Sequence, residues 1–191
     1  MKSILISIKP KWVAKILNGE KTIEIRKTMP KCDLPIDVYI YCTKSKSETK
    51  KDIPFSSYTN AVISNSQAKW KGKVVAKFTL NRVEEIDSEY FEFYCKMNAN
   101  FHTMTLTQKE LLKKSCLSYK ELDNYVDNNG IDTIGYVWHI SNLVIFDKPK
   151  ELNEFKTLKK EYRFNGFRNE GYETVKPLIK APQSYMFVEV E

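Results

Sequence analysis

The sequence predicts an α+β fold, a mainly antiparallel, partly closed β-barrel with peripheral α-helices. The predicted elements run strand, helix, three strands, two helices and two strands, which lacks the regular strand–helix alternation of a parallel, doubly wound sheet. Neither GxGxxG nor GxxxxGK[ST] occurs in the 191 residues, so no glycine-rich phosphate loop is predicted. A chain of this length is close to the size of one domain, and we expect a single domain over residues 1–191.

The N-terminal part of the chain predicts two strands around a short helix. Ser3–Ile8 is apolar and rich in β-branched residues, which is typical of a strand. Pro10 suits the first turn of a helix, and Gly19 is a typical residue at a helix end. Ile36–Thr43 (IDVYIYCT) predicts another strand.

After the predicted helix and before Ile36–Thr43, the segment Lys21–Lys27 (KTIEIRK) alternates between apolar and polar residues. Successive side chains of a strand point to opposite faces, so this segment predicts a half-buried strand. Its polar face carries three residues: Thr22, Glu24 and Arg26.

The later elements are predicted from strand-like runs and helix caps. Thr107 and Ser118 each precede a Glu by three residues, which is a capping-box pattern. We expect helices over 108–115 and 119–127, within a helical insertion at 105–129. The predicted strands are Lys73–Val83, Ile134–Phe146 and Ser184–Val190, and the length of the second allows for a bend or a bulge. A loop insertion is expected at 44–70, and residues 156–176 show no clear period.

The charge is unevenly distributed along the chain. The protein has 31 Lys and Arg against 24 Asp and Glu, a net charge of +7. The first 81 residues carry +10 and the rest −3. Such asymmetry indicates a basic face and a polyanionic partner, although ordinary solvated lysines give the same composition.

The cysteines, the histidines and the lengths of the apolar runs limit which metal sites, disulfides and membrane segments the chain can form. The four cysteines show no CxxC spacing and are expected to be reduced thiols: Cys32, Cys42, Cys95 and Cys116. With two histidines in the chain, a Cys/His zinc site is not expected, and His139, in an apolar run, is expected to be a hydrogen-bonded structural residue. No apolar run approaches 18 residues and no signal peptide is evident, so we expect no membrane association, a cytoplasmic location and no cofactor or metal.

The segment IKPKWVAKILNGEKTIEIRK resembles the opening of an ASCH domain, a member of the PUA-like superfamily. The shared pattern is a strand, a Lys-Pro helix start and Gly-x-Lys-Thr-x-Glu-x-Arg. Softer similarity extends over residues 3–190, in VYIYCT, GKVVAKFTL, GYVWHISNLVIFDKPKEL and APQSYMFVEVE. The resemblance implies a small PUA-like barrel with a cleft beside the first helix, and binding of RNA or another nucleic acid.

One bacterial branch of the family is similar to an amidohydrolase that acts on N4-acetylcytidine and carries Gly-x-Lys-Thr-x-Thr-x-Arg. In this chain Lys21 and Arg26 match that pattern, whereas Glu24 stands at the position of the second threonine. Because Glu24 has no hydroxyl group, the same nucleophilic mechanism is not expected here.

The candidate ligand-binding residues centre on that motif. The guanidinium of Arg26 matches a phosphate or a base edge, and Glu24 is able to accept a hydrogen bond from an exocyclic amine. The alternative is an exposed Glu24–Arg26 pair of little energetic weight. Lys21 and Thr22 belong to the same motif. Lys9 and Lys11 are candidate phosphate contacts, and Tyr41 and Trp138 are candidate rings for base stacking. Gln183 and Ser184 are candidate hydrogen-bonding groups. Aromatic residues in strands are also commonly core residues.

Three functions remain open at this level. The first is a module that binds RNA or a modified nucleotide in a basic, polar and aromatic cleft. The second is a small hydrolase of amidohydrolase or ribonuclease type, with Lys21 and Glu24 as the catalytic pair. The third is a protein-interaction module in transcription regulation, with 44–70 and 160–175 as candidate surfaces.

Overall fold

The computed structural model describes residues 2–44, 70–89, 92–96, 104–126, 135–164 and 166–190. In these ranges the helices are α1 (Pro10–Leu17), α2 (Gln108–Ser115) and α3 (Tyr119–Val126), with a 3-10 turn at Leu152–Glu154. The strands are β1 (Lys2–Ile8), β2 (Ile23–Arg26), β3 (Ile36–Cys42), β4 (Val74–Leu80), β5 (Val83–Glu89), β6 (Glu92–Lys96), β7 (Met104–Leu106), β8 (Gly135–His139), β9 (Ser141–Lys150), β10 (Lys156–Phe164), β11 (Asn169–Pro177) and β12 (Tyr185–Glu189).

The chain folds into two compact units, each assembled from separated segments. Unit 1 consists of Met1–Val13, Asp37–Lys77 and Val144–Glu191. Unit 2 consists of Ala14–Ile36 and Phe78–Leu143.

A seven-stranded sheet has the order β11-β10-β12-β1-β3-β4-β9. β1 lies inside this sheet, parallel to β3 and antiparallel to β12. Ser3–Ile8 is buried at every position, so both faces of β1 are covered. Strands with both faces covered are rich in apolar residues, which explains the residues Ile4, Leu5, Ile6 and Ile8. The core of unit 1 combines aromatic and aliphatic residues: Leu5, Tyr39, Tyr41, Val74, Phe155, Leu178 and Val188.

Unit 2 is built on a five-stranded sheet of order β2-β8-β5-β6-β7, in which every neighbouring pair is antiparallel. α2 and α3 contribute to its core, which consists of aliphatic residues: Ile23, Ile25, Ile86, Leu106, Leu111, Leu122, Val126 and Val137. Both predicted capping boxes are present. The side chain of Thr107 accepts from the Glu110 amide while Glu110 accepts from the Thr107 amide, and Ser118 and Glu121 repeat the arrangement.

The predicted α+β class, with mainly antiparallel strands and peripheral helices, is confirmed. Neither sheet returns to its first strand, which agrees with a barrel that is only partly closed. Among the described residues, no helix is long and apolar enough to cross a membrane. Cys116 is a free thiol, as expected.

Several predicted boundaries are wrong. The strand predicted over Ile134–Phe146 divides at Ile140, because β8 pairs in the five-stranded sheet and β9 in the seven-stranded sheet. The strand predicted over Lys73–Val83 ends at Leu80, and β5 begins at Val83. Residues 156–176, which have no sequence period, form most of the β10–β11 hairpin. Most of the predicted 44–70 insertion lies outside the described residues.

Candidate functional site

A helix end places Lys21 at the entrance to β2. Gly19 adopts φ +73°, a left-handed conformation that glycine tolerates without steric cost. The amides of Glu20 and Lys21 both donate to the carbonyl of Lys15, at 2.9 and 3.0 Å. α1 therefore closes with a complete hydrogen-bonded turn, and the chain enters β2 two residues later.

Glu24 lies between two cations. Its Oε2 is 3.1 Å from the Nζ of Lys21, and its Oε1 is 3.1 Å from Nη2 of Arg26. The exposed side-chain fractions are 2% for Lys21, 11% for Glu24 and 7% for Arg26. We call these three residues the Glu24 cluster.

The burial of the Glu24 cluster corrects the expectation of a half-buried strand. All four residues of β2 are buried, the polar ones included. The three charged groups converge, as the motif suggested, but they lie in the interior and do not form an exposed pair.

The C-terminal end of α2 provides a second set of contacts. Nζ of Lys21 donates to the carbonyl of Ser115 at 2.9 Å, and the Thr22 amide donates to the carbonyl of Lys114 at 3.0 Å. The last carbonyls of a helix lack intrahelical donors and carry partial negative charge, so a cation is favoured there. Lys21 therefore satisfies both a helix end and a buried carboxylate.

Cys116 follows that helix end in a left-handed conformation, with φ 57°. Burial raises the pKa of its thiol, while the positive charges of Lys15 and Lys21 act in the opposite direction. The thiol therefore belongs to the same electrostatic environment as Lys21.

Tyr125 of α3 is an aromatic neighbour that sequence reasoning missed. Burial raises the pKa of its hydroxyl group, the charge of Arg26 lowers it and the charge of Glu24 raises it. A backbone hydrogen bond from Lys27 also lowers that pKa, and Nζ of Lys27 lies 5.7 Å from the centre of the ring. The capping box predicted the helix, but the sequence gives no signal that Tyr125 meets the end of β2.

A second buried carboxylate was also missed. The side chain of Glu84 is fully buried, and its Oε1 contacts both Arg82 and the Nε2 of His139, the latter at 3.0 Å. The hydrogen bond predicted for His139 is thereby confirmed. Glu84 follows directly after the segment that predicted a strand, and the sequence offers no sign of its burial.

The remaining candidates in unit 2 differ in exposure. Trp138 pairs with Glu24 in the register of β2 and β8, so the two side chains share one face of the sheet. Trp138 is fully buried, and stacking a base on its ring requires a rearrangement. Thr22 is exposed, and its carbonyl accepts from the Ile140 amide.

The other five candidates belong to unit 1. Lys9 is exposed and its carbonyl accepts from the amides of Trp12 and Val13, while Nζ of Lys11 lies 4.3 Å from the Trp12 ring centre. Tyr41 is a buried member of the core. Gln183 and Ser184 are exposed.

Comparisons with known proteins give structural matches alone. No family model matches the chain, and no curated protein does. The crystal structure of ASCH from Zymomonas mobilis is 13% identical over 98% of this chain and 87% of that one, with a TM-score of 0.46. Two of its mutants match as well. A tyrosine-to-phenylalanine mutant is 14% identical over 80% of this chain and 77% of that one (TM-score 0.48).

A serine-to-alanine mutant is 14% identical over 98% of this chain and 88% of that one (TM-score 0.46). The chain is similar to these ASCH structures. At 13–14% identity, this similarity concerns the fold alone.

Proposed function

We propose that this chain is an ASCH-type protein that binds nucleic acid, either RNA or a modified nucleotide, at the Glu24 cluster. The observation that carries the proposal is the position of one buried carboxylate between two buried cations. Removing each ion from water costs several kcal/mol, and apolar residues of similar volume are often equally stabilising. Charges held in the interior at that cost are therefore candidates for a functional role.

The cluster offers complementary groups for a polar, planar ligand. Glu24 accepts from one cation at each oxygen, whereas a carboxylate has about four lone-pair sites. It retains capacity to accept from an exocyclic amine such as that of cytosine or adenine. The fork of Arg26 suits a phosphate or a base edge.

The contacts also fix the orientation of these groups before a ligand arrives. Lys21 is held by Glu24 and by the carbonyl of Ser115, and Glu24 is held at both oxygens. A preorganised site loses less conformational entropy on binding. Tyr125, whose hydroxyl pKa responds to the charges of Arg26 and Glu24, is 37% exposed and is the aromatic candidate for stacking on a bound base.

The same contacts favour binding over the hydrolase alternative. A catalytic base must accept a proton, whereas Lys21 uses ammonium protons to reach Glu24 and Ser115.

The proposal includes a cytoplasmic location, where RNA is available and thiols such as Cys42 and Cys116 stay reduced. A protein partner is compatible with it.

Calorimetric titration with cytidine and adenosine monophosphates and with short RNAs, across a salt series, tests the proposal. We expect binding at low salt that weakens as salt rises, because phosphate contacts release counterions. Glu24→Gln should abolish the binding of monophosphates. Glu20→Gln is the matched control, because Glu20 also pairs with a lysine, Lys15 at 3.0 Å, but on the surface.

Arg26→Lys separates loss of binding from loss of folding. It keeps the positive charge and removes the fork, so we expect a folded protein, by circular dichroism, with weaker binding. Absence of binding by the unsubstituted protein at low salt overturns the proposal. Turnover of acylated nucleosides or cleavage of RNA, followed by chromatography, replaces it with the hydrolase alternative.

A further inference from the structure

The β10–β11 hairpin is a two-stranded ribbon at one end of the seven-stranded sheet. Its strands pair in continuous register from Lys156↔Pro177 to Phe164↔Asn169. β10 pairs with β12 at Lys156↔Glu189, at the start of the hairpin. From there to the tip, the described pairing joins β10 and β11 to each other, with β11 as the edge strand.

The tip of the hairpin is exposed on both faces. Arg163 and Phe164 are neighbours in one strand and so point to opposite faces, yet both are exposed. Phe164 is 64% exposed and Phe167, in the connecting turn, is 95% exposed. The described residues of the tip are therefore accessible on both faces of the ribbon.

The hairpin is also basic. Residues 156–177 contain six Lys and Arg and three Asp and Glu, a net charge of +3. The described exposed cations of the hairpin are Arg163, Arg168 and Lys176. Two exposed phenylalanines thus stand beside two exposed arginines at the tip.

We propose that this tip binds single-stranded nucleic acid, with Phe164 and Phe167 stacking on bases and Arg163 and Arg168 contacting phosphates. Stacking requires an accessible ring face, and each ring is exposed. The excess of positive charge complements a phosphate backbone. A standard protein interface covers about 800 Å² on each partner. The tip is two strands wide, or about 10 Å, and this narrow surface suits a single nucleic-acid strand better than a protein partner.

This proposal goes beyond the Glu24 cluster, because it concerns a surface of unit 1 and a strand of several nucleotides. Fluorescence anisotropy with labelled ten-nucleotide oligo(U) and oligo(dT), at several salt concentrations, measures it. Loss of one stacked ring should weaken binding about fivefold, so the double variant Phe164→Ala with Phe167→Ala should weaken it at least about 25-fold. The salt dependence of binding should stay unchanged, because the phosphate contacts remain. Val144→Ala with Ile145→Ala is the matched control, because both residues are exposed apolar residues of β9.

Arg163→Ala with Arg168→Ala tests the phosphate contacts. The slope of log affinity against log salt should fall by about 1.4, since each contact to a single strand contributes about 0.7. Lys31→Ala with Lys148→Ala removes two other exposed cations and should leave the slope unchanged. Thermal unfolding verifies each fold, and Phe167→Ala alone, at the most exposed ring, replaces the double variant if that variant does not fold.

Equal oligonucleotide affinity in the phenylalanine variant and its control overturns the inference. A change in self-association or in capture of a protein, with oligonucleotide affinity unaltered, also overturns it and assigns the tip to a protein interface. Binding of monophosphates reports on the Glu24 cluster, whereas binding of oligonucleotides reports on the hairpin. If monophosphates do not bind but oligonucleotide affinity still depends on Phe164 and Phe167, the proposed function is overturned and the role of the hairpin stands.

Discussion

The Nζ of Lys21 lies 2.9 Å from the carbonyl oxygen of Ser115, although 94 positions separate the two residues. This bond joins the turn after α1 to the end of α2, within unit 2. The same ammonium group is 3.1 Å from Glu24. Lys21 therefore links the stability of unit 2 to the orientation of the candidate site.

Lys21→Met should lower the free energy of unfolding by about 3 kcal/mol, because it leaves a buried carboxylate with one cation fewer and a helix carbonyl without this donor. Urea denaturation followed by circular dichroism measures the change. Lys15→Met is the control, because Lys15 pairs with the exposed Glu20, and such a surface pair contributes less than about 1 kcal/mol. Equal effects of the two substitutions contradict the structural role of Lys21.

Thr107→Ala should destabilise the protein by about 1 kcal/mol through loss of the α2 cap. It should also raise the pKa of Glu110 part of the way toward its ordinary value near 4.5. The backbone amide of Thr107, the larger cause, remains as a donor, while the hydroxyl group is lost. NMR titration of the Glu110 carboxyl group measures this pKa.

The sign of the pH effect follows from the lowered pKa of Glu110. The contribution of this carboxylate to stability is complete above the unfolded pKa and is lost as the pH falls through the folded value. The pH dependence in that acidic range should therefore be weaker in Thr107→Ala. Ser118→Ala removes the equivalent cap of α3 and should leave the pKa of Glu110 unchanged.

Cys116→Gly should stabilise the protein by about 0.5–1 kcal/mol. Cys116 has φ 57° at the end of α2, where glycine avoids the steric cost of a side chain. Differential scanning calorimetry measures the gain as a higher Tm. Cys32→Gly, at a residue without positive φ, should lower the Tm, and a lower Tm in both variants contradicts the assignment of strain to Cys116.

Gly135→Ala should destabilise unit 2 by about 1–3 kcal/mol. A Cβ atom at this position would lie 2.9 Å from Cγ1 of Val126 and 3.0 Å from Cδ1 of Ile86, both in the core. Combining Gly135→Ala with Val126→Ala removes the first of these clashes. The double variant should therefore lose less stability, by chemical denaturation, than the two single changes added together.

The sequence predicted the members of the Glu24 cluster but not their environment. The Gly-x-Lys-Thr-x-Glu-x-Arg motif brought Lys21, Glu24 and Arg26 together, and the structure joins them through one carboxylate. Alternation along β2 assigned Glu24 and Arg26 to the polar face of a half-buried strand, because periodicity distinguishes the two faces of a strand but does not reveal what covers each face. Ser115 and Tyr125 are distant in sequence, so no local pattern predicts their contacts.

The same distinction between local and distant signals applies to the fold. The helices predicted over 108–115 and 119–127 are observed as Gln108–Ser115 and Tyr119–Val126, because their caps are encoded within four residues. The β10–β11 hairpin was not predicted, because residues 156–176 lack the apolar alternation that marks a strand. Tyr39 and Tyr41 lie two positions apart on one face of β3 and share the core of unit 1, and the residues on the opposite face are buried as well.

The pairing of Lys2 with Glu189 brings β1 against β12 across almost the whole length of the chain. During synthesis, β1 leaves the ribosome long before the strand that will cover its antiparallel edge. Contacts between such distant segments slow folding, because a large loop must close before they contribute. Unit 2, whose last segment ends at Leu143, receives all of its residues while β12 is still awaiting translation.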